Sequence, residues 1–179
     1  MEINRERAVR LITSAAETGL IEAMEKLYDM YNSGTGVGLD YRKSLYWAKK
    51  CVEQYENDYG EKDEHTLTAL HRLAFAYYNN GQHSNALEID EKVYELRSKV
   101  LGEEHPDTLI SLNNLAYEYS ELGNHKKALE LTNKAYELNY KLLGQEHPTT
   151  MTMLNNLIYE YSELGDHKKA LDLKRKYMN

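Results

Sequence analysis

Histidine, cysteine and neighbouring acid–base pairs are the residues here whose types could carry chemistry. The chain has 179 residues with 7 histidines and one cysteine, Cys51. His83, His125 and His167 recur at a fixed interval, and so do His105 and His147. Ligands of one zinc ion must converge to about 2 Å from it. Equivalent residues on neighbouring packed helices stand about 8–10 Å or more apart. Histidines at a repeat interval therefore cannot share an ion, and no metal site is expected. A lone Cys51 makes no internal disulfide and no C-x-x-C metal motif, which fits a reducing compartment. His71 and Arg72 follow Asp63 and Glu64, but a catalytic centre needs a nucleophile and an orienting partner as well. Gly34-Thr35-Gly36-Val37-Gly38 lacks the Lys-Ser/Thr that completes a phosphate loop. The expectation is no enzyme, no catalytic residue and no cofactor.

Composition narrows the partners. The formal net charge is -7, which repels phosphate at long range and argues against nucleic acid. The start, Met1-Glu2-Ile3-Asn4-Arg5-Glu6-Arg7, is charged and has no signal-peptide core. No apolar run approaches the roughly 20 residues of a membrane helix. A soluble, cytoplasmic protein with no membrane partner is predicted. With 2 prolines, the chain leaves room for long uninterrupted helices.

The elements that place these residues come from an internal repeat, which decides the architecture. Leu112-Asn113-Asn114-Leu115 returns 42 residues later as Leu154-Asn155-Asn156-Leu157. Tyr117 to Gly123 reads YEYSELG, and Tyr159 to Gly165 reads the same. An earlier copy is weaker but in register: Thr66, Thr108 and Thr150 keep the interval, as do Gly81, Gly123 and Gly165, and Ala86, Ala128 and Ala170.

Each period holds two helical stripes. Leu109, Leu112, Leu115, Ala116 and Tyr119 make the first, and Ala128, Leu129, Leu131, Ala135 and Leu138 the second. Gly123 sits where a left-handed helix end is wanted. Asn124, replaced by Asp166 one period on, is the expected N-cap of the second helix. Pro106 and Pro148 suit a first helical turn, whose amides lack internal partners. Glu88/Lys92, Glu95/Lys99, Glu130/Lys134 and Glu137/Lys141 are spaced to pair along exposed helix faces for about 0.2–0.5 kcal/mol each. One helix pair cannot bury both its apolar faces, so the period predicts stacked antiparallel pairs, an all-α solenoid of about nine helices.

The pattern L-N-N-L-A-x-x-Y…G-x-x-x-x-A-L-x-L…L-G-x-x-H-P-x-T resembles the tetratricopeptide repeat in its long, kinesin-light-chain-like form, from about Glu61 to Asn179. Ala15-Ala16-Glu17-Thr18-Gly19, Ala23, Leu27, Tyr31, the glycine-rich run and Trp47 resemble a Sel1-like repeat, with Ser44 and Tyr28 departing from its pattern. The resemblance implies a right-handed superhelix. It divides the chain into an N-terminal helix (1–18), a Sel1-like repeat (19–60), two tetratricopeptide repeats (61–103 and 104–145) and a third with a shortened second helix (146–179).

The resemblance also implies a protein-binding scaffold or adaptor whose concave groove, lined by the first helix of each pair, grips an extended peptide or partner helix. The expected contact residues are His71, Arg72, Phe75 and Asn79, then Asn113, Asn114, Tyr117 and Glu121, then Asn155, Asn156, Tyr159 and Glu163. In such families an asparagine at the position of Asn114 and Asn156 often bonds a bound peptide's backbone, and an amide offers both donor and acceptor. An asparagine there also suits a tie between one helix and the next loop. Arg72 replaces it in the first long repeat and could meet a carboxylate. The other basic residues of a carboxylate clamp are absent, so a chaperone C-terminus is not the expected ligand.

Two alternatives stand beside the adaptor. One is a homo-oligomerisation module. Ile158, Leu171 and Leu173 leave apolar surface near Asn179, where a two-fold homodimer could form. The other is a regulatory protein that senses a short peptide.

Overall fold

The computed structural model describes residues 2–177, with side chains from Arg5 onward. The described residues form nine helices and no strand. They are α1 (Glu2–Glu17), α2 (Ile21–Ser33), α3 (Tyr41–Tyr59), α4 (Glu64–Asn79), α5 (His83–Val100), α6 (Pro106–Glu121), α7 (His125–Leu143), α8 (Pro148–Glu163) and α9 (His167–Tyr177). They fall into two compact units, residues 1–93 and 94–179, and α5 contributes to each.

Within the first unit α1 packs on α2, α2 on α3 and α3 on α4. Its core is built on Leu27, Trp47, Ala48, Leu67 and Ala74. Within the second, α6 packs on α7, α7 on α8 and α8 on α9. Leu112, Leu115, Ala128, Ala135, Leu154 and Leu157 are buried there. The two stripes read from the sequence are thus the packed faces, and the serial order is that of an α-solenoid.

The helix starts show why the period is so legible. Asp63, His105 and His147 occupy one repeat position and do one job. Asp63 Oδ1 accepts from the His65 amide at 2.9 Å. His105 Nδ1 accepts from the Asp107 amide at 3.2 Å, and His147 Nδ1 from the Thr149 amide at 3.3 Å. Pro106 and Pro148 follow in the first turn. Asn124 and Asp166 cap α7 and α9 through the Lys127 and Lys169 amides. Each cap satisfies an amide that the helix itself leaves open. Gly123 has φ 75°, the left-handed conformation expected after α6. Gly36 has φ 85° and packs so close to Met30 that a Cβ would stand 3.0 Å from its terminal methyl. Arg5 Nε donates to the Gly36 carbonyl at 2.7 Å and ties α1 to this loop.

The exposed charge pairs differ from expectation. Of the four pairs spaced along a helix, Glu95–Lys99 forms, at 3.5 Å. Lys92 instead meets Glu61 at 2.5 Å, and Lys134 meets Glu103 at 2.6 Å. Lys141 meets Glu104. The first two are the same bond one period apart, each reaching from a second helix to the loop before the preceding first helix. The loop acids thus compete with the helical glutamates for these lysines. Lys99 lacks that option because Lys62 stands at the position of Glu104.

Candidate functional site

The twelve candidate contact residues divide between the two units. In the first unit they lie on α4, and three are committed to partners inside the unit. Arg72 donates to Glu25 Oε1 at 2.6 Å. Asn79 Nδ2 donates to Asn32 Oδ1 at 2.9 Å. His71 Nδ1 lies 3.0 Å from Asp90 Oδ1, whose carboxylate is buried. A buried carboxylate is costly unless it is hydrogen-bonded, so His71 has a structural task. Phe75 is the exposed member of this set, at 48%.

The second unit presents a different surface on α6 and α8. Tyr117 and Tyr159 are 56% and 52% exposed, and Ile110 on the same helix as Tyr117 is 49% exposed. Glu121, Glu163 and Asn155 are exposed, and Asn114 and Asn156 are half-buried. Asn113 differs from its neighbours. Its Oδ1 is buried and has no hydrogen-bond partner, which marks it as turned into the packing rather than outward.

Three carboxylates act on Tyr159. Glu163 above all, then slight desolvation, then Glu160 and Glu121, push its phenol above the ordinary value. Glu121 belongs to the end of α6 and Tyr159 to α8, so the ends of these two helices share one electrostatic neighbourhood. Glu160 is buried at 2% and bonded by His125 Nδ1 at 3.0 Å. His125 Nε2 lies 3.9 Å from Glu163, and its ring meets Tyr159 edge-on with centroids 6.3 Å apart.

Sequence reasoning passed over Asp90, Glu118 and Glu160, all buried. The signal was present for two of them. Glu118 and Glu160 stand three residues after the core leucines Leu115 and Leu157, and a position three along a helix shares the apolar face. A charge there has to find a partner. His125 opens α7, and its ring also serves Glu160.

Among the described residues no group of three or more histidines, cysteines and acids gathers as a metal site. No described helix is long and apolar enough to cross a membrane.

Residues 65–141 match the tetratricopeptide repeat family model. That segment belongs to the tetratricopeptide repeat family. No curated protein matches the sequence. Solved structures share the fold across nearly the whole chain. A protein of kinesin light chain type from Podosopora anserina, with nearly identical TPR-like repeats, superposes with a TM-score of 0.79 at 24% identity, over 99% of this chain and 87% of its own. BtubC (BKLC) from P. vanneervenii gives 0.74 at 20% identity, over 98% and 70%. The apo form of RapI gives 0.74 at 20% identity, over 98% and 62%. Tetratricopeptide repeats are in general non-catalytic scaffolds for protein interaction.

Proposed function

We propose that this tetratricopeptide repeat protein is a peptide-binding adaptor and that its working surface is the outward side of α6 and α8. One observation carries the reading. Asn114 and Asn156 stand half-buried three residues before Tyr117 and Tyr159, whose rings are exposed on the same helix faces. An amide beside a flat, amphipathic ring supplies what an extended main chain needs: a donor, an acceptor and contact area. The arrangement recurs after 42 residues, once on α6 and once on α8.

The test is capture of partners from lysate by wild-type protein and by Asn114→Ala/Asn156→Ala, with helicity checked by circular dichroism. A partner held by the wild type and lost by the folded variant supports the reading. A partner held equally by both places binding on another face.

A further inference from the structure

The α6–α8 surface carries charge of one sign. Neither α6 nor α8 contains a lysine or an arginine. Between them they hold Asp107, Glu118, Glu121, Glu160 and Glu163. The lysines of this unit sit on the second helices, where Lys134 and Lys141 are bonded to loop acids. The outward acids, Glu121 and Glu163, each stand four residues beyond an exposed tyrosine, Tyr117 and Tyr159, and so share its helix face. A carboxylate beside the face of an aromatic ring is a receptor for a cation. The ring quadrupole attracts it, the alkyl stem of lysine or arginine covers the ring, and the acid pairs with the head group.

The equivalent positions of the first unit lack this chemistry. Asn79 replaces Glu121 and Glu163, and Ala76 replaces Glu118 and Glu160. The tyrosine–acid pairs are therefore a property of the second unit and not of the repeat in general.

We infer that the surface formed by Tyr117, Glu121, Tyr159 and Glu163 selects an extended partner segment bearing lysine or arginine side chains. This rests on the adaptor reading and names the chemistry of the partner. The asparagines hold the segment's backbone, and the tyrosine–glutamate pairs take its cationic side chains. Complementary charge of this kind sets specificity and association rate, and it weakens with salt.

The test is panning of a random 12-residue phage-displayed library on the immobilised full chain, followed by affinity measurements with the enriched peptides. The expected peptides contain lysine or arginine. They bind Glu121→Gln/Glu163→Gln about tenfold more weakly than wild type, as loss of the two ion pairs implies, while the tyrosine rings remain. They bind Glu88→Gln/Glu146→Gln, which removes the same charge from elsewhere on the surface, as tightly as wild type. Equal weakening by both variants overturns the inference, because net charge would then explain the preference. Enrichment of neutral or acidic peptides that depend on Asn114 and Asn156 but not on Glu121 and Glu163 also overturns it, and leaves the adaptor reading standing. Enriched peptides indifferent to all four residues overturn both.

Discussion

Arg72 and Glu25 meet at 2.6 Å across 47 residues of sequence. The bond joins the first helix of the long repeats to α2, and it takes the arginine away from any ligand. Both side chains are partly exposed, at 41% and 30%, so water screens much of the pairing. A double-mutant cycle with Arg72→Met and Glu25→Gln is expected to give a coupling of about 0.2–1 kcal/mol in urea unfolding. Peptide affinity should not change in any of the three variants.

The two sides of α6 should respond oppositely to truncation. Leu112 is fully buried and Ile110 is half exposed. Leu112→Ala is expected to cost about 2–5 kcal/mol, the range for an emptied core site. Ile110→Ala should stay within about 0.5 kcal/mol, as for surface changes. Urea midpoints check both, and a large loss from Ile110→Ala would mean that this side of α6 is covered.

Burial sets an alkaline limit on the first unit. It is the largest cause pushing the Cys51 thiol and the Tyr28 phenol up to about 12. Each group holds its proton more tightly folded than unfolded. Its contribution to stability is therefore intact below the ordinary values of 9.0 and 10.0, and is lost as pH rises from there through about 12. Tyr28→Phe should remove part of that alkaline slope. At pH 8 native Cys51 should react with iodoacetamide roughly a thousandfold more slowly than in urea, because the thiolate is the nucleophile.

Acid acts through caps. Asp63 is lowered mainly by the His65 amide and Asp166 mainly by the Lys169 amide. A lowered carboxyl lends stability above its unfolded pKa and loses it as pH falls through the folded value. Asp63→Ala/Asp166→Ala should lower the thermal midpoint at pH 7, and the gap to wild type should shrink as pH falls below the ordinary carboxyl value of 3.8. A gap that persists in acid would assign the loss to something other than ionised caps.

The fold was legible because its determinants are local and repeated. Apolar stripes, Pro106 and Pro148, Gly123, Asn124 and Asp166 each act within a few residues of themselves. The side-chain partnerships were not legible, because they depend on which distant residue the packing brings near. Lys92 had a spaced partner in Glu88 and chose Glu61. Arg72 could not be matched to Glu25 from one sequence, since 47 residues, with two loops and the whole of α3, lie between them. The surface acids Glu121 and Glu163 were found as periodic outward residues. At the same position of the first unit Asn79 is bonded to Asn32, a partnership the sequence did not show.

The most direct test of the adaptor reading follows amide and side-chain resonances of the ¹⁵N-labelled full chain as a panned 12-residue peptide is added. The account predicts saturable shifts centred on residues 110–121 and 152–163, including the side-chain amides of Asn114 and Asn156, with α1 to α4 unmoved. Saturable shifts confined to α1–α4, or to the second helices α7 and α9, would contradict it.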